Sequence, residues 1–204
     1  TDFTNFWHTS SSCYRPFMRI IGGKAKGRRL QVPKNGVRPT PDRVREALCS
    51  MLGPEIPEAR ILDLFAGTGA FGLECLSRGA SALTLVEKNT KNIRVLRENI
   101  EKTQLSSPNV INMPALKALK QLSAQNTKFD IAFLDPPFDA GLLEQSLHLL
   151  VELDLMDNDG CAICEHRSQV SPPSAPAGWG QVLTRAYGDV TITVFRPDTQ
   201  EEEQ

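Results

Sequence analysis

Leu62-Asp63-Leu64-Phe65-Ala66-Gly67-Thr68-Gly69-Ala70-Phe71-Gly72 decides how this chain is to be folded. Residues 60–65 are apolar apart from Arg60 at the start and one acid, and read as a buried strand. Gly67 and Gly69 then force a tight turn, because glycine accepts positive φ and lets a ligand come close to the backbone. Residues 70–78 follow as a helix. Gly72 completes a Gly-x-Gly-x-x-Gly spacing that dinucleotide sites share. Asp63, inside the strand, is placed where a cofactor ammonium finds it. Glu87 ends the next strand, 83–87, where an acid takes ribose hydroxyls. NAD sites also carry that acid, so Glu87 alone does not discriminate.

Working outward, strand and helix alternate. Strands at 60–65, 83–87, 109–113, 129–135 and 161–165 are separated by helices at 70–78, 90–103, 115–124 and 141–152. Helix 90–103 carries Ile93, Leu96 and Ile100 on one face. That rhythm predicts a doubly wound parallel sheet. Segments 182–187 and 190–195 flank Gly188-Asp189 and predict a closing antiparallel hairpin. Upstream, Thr40-Pro41-Asp42 opens a helix, with Thr40 as N-cap and proline at the first helical position. Val44, Ala47, Leu48, Met51 and Leu52 make its apolar face. Arg43 and Arg45 fall off that face, where they can reach a ligand.

A second motif, Asp135-Pro136-Pro137-Phe138, ends the strand that contains Ile131-Ala132-Phe133-Leu134. Two prolines cannot continue a strand, since each fixes φ and lacks an N–H for the ladder. A carboxylate, a free carbonyl and an aromatic ring are therefore presented together at the C-terminal edge, where open α/β sheets bind ligands. The oxygens accept hydrogen bonds from an amino group, and the ring stacks on a flat base. Asp63 together with this motif argues against a dinucleotide enzyme.

Charge is segregated. Residues 15–45 hold ten Lys/Arg and one acid, a local charge of +9 in a chain whose formal net charge is −1. Such an arm suits a polyanion. No apolar run approaches a membrane span. The five cysteines are scattered, which fits a reducing cytoplasm. Cys161-x-x-Cys164 is not read as a metal or redox pair, because a separation of three on a strand puts the two thiols on opposite faces. The histidines have no ligand spacing, so no metal is expected. The expected organisation is a disordered extension over 1–17, a basic polyanion-binding segment and helix over 18–59, an α/β ligand-binding domain over 60–197 and an acidic tail over 198–204.

These motifs resemble S-adenosyl-L-methionine (SAM) methyltransferases, and most closely the RsmD-type 16S rRNA guanine-N2 methyltransferase family. The resemblance runs from about Met18 to Arg196. It is carried by Arg19-Ile20-Ile21-Gly22-Gly23, Gly27-Arg28, Arg38-Pro39-Thr40, Arg43-Val44-Arg45-Glu46, residues 62–69, Val86-Glu87-Lys88 and residues 135–138. It implies a Rossmann-like sheet of order 3-2-1-4-5-7-6 with the terminal hairpin. It also implies a SAM site at Asp63, Phe65, Ala66, Gly67, Thr68, Gly69, Glu87, Lys88, Ala115 and Asp135. Asp135, Pro136 and Phe138 would be catalytic, and Arg28, Arg29, Arg38, Arg43 and Arg45 would hold RNA. The implied partner is 16S rRNA, free or within the small ribosomal subunit or an assembly intermediate. One departure is Pro114-Ala115, where such enzymes usually carry an acid for the adenine amino group; backbone near Ala115 and apolar packing must serve instead. A DNA adenine-N6 methyltransferase is the nearest alternative, and a non-catalytic RNA-binding assembly factor is an alternative of another class.

Overall fold

The computed structural model describes residues 18–33, 41–137 and 140–198. A two-stranded hairpin, β1 (Met18–Arg19) and β2 (Arg29–Leu30), precedes α1 (Asp42–Met51). The main body runs β3 (Arg60–Asp63), α2 (Ala70–Ser77), β4 (Ala82–Val86), α3 (Thr90–Thr103), β5 (Asn109–Ile111), α4 (Ala115–Ala124), β6 (Phe129–Leu134), α5 (Ala140–Glu152), β7 (Met156–Arg167), β8 (Trp179–Tyr187) and β9 (Val190–Pro197). The seven-stranded sheet has the order β5-β4-β3-β6-β7-β9-β8. Counted within the sheet, this is the expected 3-2-1-4-5-7-6. Strands β3 to β7 are parallel, and β9 runs antiparallel to both β7 and β8.

Alternation along the central strands splits the core into two layers. Ile61, Ile131, Phe133, Cys161 and Ile163 face α1, α2, α3 and the N-terminal hairpin. Leu62, Ala132, Leu134, Ala162 and Cys164 face α4 and α5. Cys161 and Cys164 thus lie in opposite layers, each fully buried, and burial pushes the Cys161 thiol up to about 12. Among the described residues no helix is long and apolar enough to cross a membrane.

The structure differs from the sequence reading in three places. Strand β7 is far longer than 161–165: Met156 pairs with Phe129 and Cys161 with Ile131, and Asp157-Asn158-Asp159-Gly160 take up the register shift between these pairs. Asp, Asn and Gly are poor strand formers and fall in the irregular stretch, which hides the start of the strand in the sequence. Pro41 is the N-cap of α1, so the helix starts one residue later than expected; Thr40 lies outside the described residues. Arg45, expected off the apolar face, is fully buried, whereas Met51 is 37% exposed. The Arg45 guanidinium donates to the Arg19 carbonyl at 2.8 Å and to Asp42 at 3.1 Å, pinning α1 to the hairpin.

Candidate active site

The glycine turn is built by its backbone. Gly67 and Gly69 have φ of 53° and 77°, in the left-handed region that side chains disfavour. The Gly69 N–H donates to Ala66 O at 2.6 Å, and Gly69 caps α2. Ala66 N–H reaches across to Val86 O at 2.9 Å, so the turn is tied to β4. Gly69 cannot gain a side chain, since a Cβ would sit 2.3 Å from Leu96 Cδ1. Gly72 serves packing, with Leu83 and Leu85 at 2.7 and 2.8 Å from the position of a Cβ. The third glycine of the spacing therefore brings α2 onto the sheet.

Acids gather around that turn. Glu87 follows β4 and accepts from Gly67 N–H at 3.0 Å, Asn89 N–H at 2.7 Å and Asn92 Nδ2 at 3.3 Å. A carboxylate has about four lone-pair sites, so hydroxyls of a ligand can share it. Asp63 ends β3, is 2% exposed, and accepts from Gly72 N–H at 3.2 Å. Its carboxyl is pushed up to about 7, chiefly by burial and further by the charges of Asp135 and Glu87, against the hydrogen bonds from Gly72 and Phe65. Strand ends β4 and β6 thus bring the carboxylates of Glu87 and Asp135 within electrostatic range of Asp63 at the end of β3. A cationic ligand would relieve the crowding. Asn112 closes this side, donating to Glu87 O at 2.8 Å and Lys88 O at 3.3 Å. Ala115 is buried at the start of α4, with Pro114 as its N-cap. The first amides of a helix lack internal partners and are donors in search of an acceptor. Lys88 itself is exposed.

Asp135 stands at the end of β6, next to the turn's strand. Phe133 stacks on Phe71 at 4.2 Å, and its carbonyl accepts Leu64 N–H at 3.0 Å. These contacts fix the strand end against the base of the turn. Pro136 is buried and Pro137 exposed; Phe138 lies outside the described residues. Asp135 also lines two clefts at this edge. One, of about 370 Å³, runs toward Leu143, Glu144 and the Val170–Pro173 loop. The other, of about 770 Å³, runs toward Pro41, Tyr187 and Asp189. Both lie in the ~300–1,000 Å³ range of small-ligand pockets. Asp135 therefore sits between an acid-lined turn and cavities large enough for a base. Among the described residues no group of His, Cys, Asp or Glu is arranged to hold a metal ion.

The basic segment divides into structural and exposed parts. Arg28 donates to Lys102 O at 2.7 Å and Gln104 Oε1 at 2.9 Å, serving the C-terminal end of α3. Arg19 and Arg29 are directly opposite in the hairpin and both exposed. Arg43 is exposed in the first turn of α1, two residues after Pro41, which lines the larger cleft. Arg45 is removed from any RNA surface by its burial, and Arg38 lies outside the described residues.

Sequence reasoning missed two buried polar anchors. Glu74 on α2 is fully buried and accepts Ile21 N–H at 2.7 Å, Gly22 N–H at 2.8 Å and Arg78 Nε at 2.8 Å. Asn99 on α3 is fully buried; its Nδ2 donates to Thr68 O at 3.0 Å and Gln31 O at 3.1 Å, and its Oδ1 accepts Gln31 N–H at 2.7 Å. Asn99 thus joins the glycine turn to the basic arm. The available signal is the spacing Asn92, Leu96, Asn99, Thr103, a helical stripe buried despite three polar members.

The family model described as Conserved hypothetical protein 95 matches residues 18–196. The chain is 38% identical to ribosomal RNA small subunit methyltransferase D of Escherichia coli (strain K12) over 186 residues, 91% of this chain and 92% of that one. It is 36% identical to the protein of the same name from Haemophilus influenzae, over 88% and 93% of the two chains. A solved Escherichia coli structure, yhhF, described as a candidate methyltransferase, superimposes with a TM-score of 0.81 at 35% identity, covering 91% of this chain and 100% of that one. With the sheet order, the glycine turn and the Asp135 edge in place, these matches show that the chain belongs to the RsmD-type methyltransferase family.

Proposed function

We propose that the protein transfers a methyl group from SAM to the exocyclic N2 of a guanine in 16S rRNA, acting in the cytoplasm on rRNA or an assembling small subunit. The observation that carries this reading is the placement of Asp135. It lies within electrostatic range of the buried Asp63 on one side and lines base-sized clefts on the other. The residues fit the cofactor, because among the described residues no cation offsets the buried acid raised to about 7, and the turn has the positive φ that permits close approach. SAM supplies a methyl group activated on a sulfonium.

The chain supplies position and proton handling. Asp63 and Glu87 hold the cofactor's ammonium and ribose hydroxyls, and Gly67 to Gly69 admit it to the backbone. Ala115 presents α4's first amides and an apolar surface to the adenine. A guanine amine is a poor nucleophile because its lone pair is delocalised into the ring. Asp135 carboxylate and the Pro136 carbonyl accept its two N–H bonds, which favours a pyramidal nitrogen aimed at the methyl. A bound SAM would supply the methyl group to this nitrogen, and Asp135 would take up the proton that the amine gives up. Hydrogen bonds to a charged acceptor contribute roughly 1.5–3 kcal/mol each, and orientation supplies much of the remaining rate. Phe138 stacks on the extruded base, for about 1–3 kcal/mol. Arg29, Arg43 and the neighbouring basic residues hold the phosphates, with Arg19 and Arg29 opposite each other across the hairpin.

The test is nucleoside mass spectrometry of small-subunit rRNA and of DNA after incubation with labelled SAM. N2-methylguanosine in the rRNA is the expected product. Label in DNA N6-methyladenine would shift the substrate to DNA, and tight SAM binding with no labelled nucleoside would leave a non-catalytic assembly factor.

A further inference from the structure

Asp135 is not the only acid in the clefts at this edge. Glu165, near the end of β7, lines both of them. Leu134 of β6 pairs with Cys164 of β7, so the next residue on each strand, Asp135 and Glu165, are neighbours about one strand spacing apart. Alternation turns both away from the layer of Leu134 and Cys164, toward the side of α1. Glu165 is 8% exposed, and two residues further along the same strand face Arg167 lines the same clefts. A carboxylate has about four lone-pair sites, so each acid can accept from a ligand in these clefts in addition to its protein contacts.

We infer that Glu165 is the residue that selects guanine, by accepting the ring N1–H while Asp135 and Pro136 accept the adjacent N2 amine. This rests on the amine-methylating reading above and extends it to base choice. The argument is one of edges. Of the two ring nitrogens beside guanine's exocyclic 2-amine, N1 carries a hydrogen and donates, whereas N3 carries a lone pair. In adenine and cytosine the ring nitrogen beside the amine is an acceptor. A carboxylate next to the amine site therefore bonds guanine and faces a lone pair in either of the other bases. Arg167 stands on the same face to donate to O6, completing an acceptor–donor pair that matches N1–H and O6. A buried acceptor that meets a lone pair in place of a donor is what gives such sites their discrimination.

The test uses the full-length protein, SAM, and a small-subunit rRNA fragment carrying either guanine or 2-aminopurine at the methylated position. 2-Aminopurine keeps the 2-amine but presents a lone pair at N1 and lacks O6. Wild type is expected to favour guanine over 2-aminopurine by ~10- to 100-fold in kcat/KM. In Glu165→Gln, whose amide donates as readily as it accepts, that ratio falls by about tenfold, leaving only the part that O6 contributes through Arg167, while SAM affinity stays unchanged. Glu165→Asp keeps a carboxylate and is expected to keep the preference at reduced rate; it also carries the variant arm if the glutamine protein does not fold. Guanine product with no preference over 2-aminopurine, or a preference that is undiminished in Glu165→Gln, overturns the assignment while leaving the methylation reading intact. No product from wild type on guanine RNA overturns both.

Discussion

Asp63→Asn tests the site where the structure makes its most quantitative statement. The change is isosteric, and the asparagine oxygen can still accept Gly72 N–H, but the group no longer ionises. In the folded protein the Asp63 carboxyl is held at about 7 by burial and by Asp135 and Glu87, above the 3.8 of an unperturbed aspartate. Below pH ~4 both folded and unfolded chains carry the proton, and the group is neutral toward stability. Between ~4 and 7 the unfolded chain gives up its proton first, so folding stability drops by about 1.4 kcal/mol per pH unit. Above 7 the loss is complete, at about 4 kcal/mol. The Asp63→Asn protein has no such slope. Urea denaturation of the ligand-free proteins at pH 5 and pH 8 should therefore show the variant gaining about 3 kcal/mol on wild type between the two conditions. That is a relative midpoint shift of ~1–2 M at usual urea slopes. The same substitution should weaken SAM by about ten- to a hundredfold, through loss of a charged acceptor. In wild type, cation binding expels the Asp63 proton, so SAM affinity should rise with pH from 5 to 7 and level off above. Parallel stability curves for the two proteins would refute the claim that Asp63 is a buried acid short of a cation.

Asp135→Ala should abolish methyl transfer, by a thousandfold or so, while SAM binding measured by calorimetry persists; near-normal turnover would reduce the motif to a strand-ending turn. Reversing Arg29 and Arg43 to glutamate should weaken RNA binding and flatten its salt dependence by roughly one phosphate contact per residue, with SAM affinity unmoved; an unchanged salt slope would place the RNA elsewhere. Gly23→Ala puts a Cβ 1.8 Å from Ser77 O at a φ of +74°, and should cost more than ~2 kcal/mol in stability; a protein that melts like wild type would show that the hairpin does not dock as described.

What the sequence discloses here is what neighbouring residues encode. Helices Thr90–Thr103 and Ala115–Ala124 are legible to the residue: Asn89 caps the first and an apolar face runs along it, and Pro114 precedes the second. The glycine turn and the Asp135 edge are legible because each is contiguous in the chain. Arg45 is not, since the helix pattern of α1 shows its apolar stripe but not the Arg19 carbonyl waiting on its other side. Glu74 and Asn99 escape for the same reason, their partners lying 52 to 68 residues away along the chain. Glu165 is hidden by register: nothing local to β7 says that it stands beside Asp135.

Those long spans bear on how the molecule comes into being. The hairpin Met18–Arg19 and Arg29–Leu30 is the first described element of the chain. Its anchors are Glu74, Ser77, Asn99 and Lys102, all of which are translated later. Until the chain through Lys102 has emerged, the hairpin lacks part of its anchorage. Contacts of such separation are formed slowly. A basic arm left undocked during synthesis is exposed to whatever polyanion lies nearest. Chaperone demand should then fall on this N-terminal arm rather than on the parallel sheet, and refolding of the purified protein should show the arm's amides gaining hydrogen-exchange protection last.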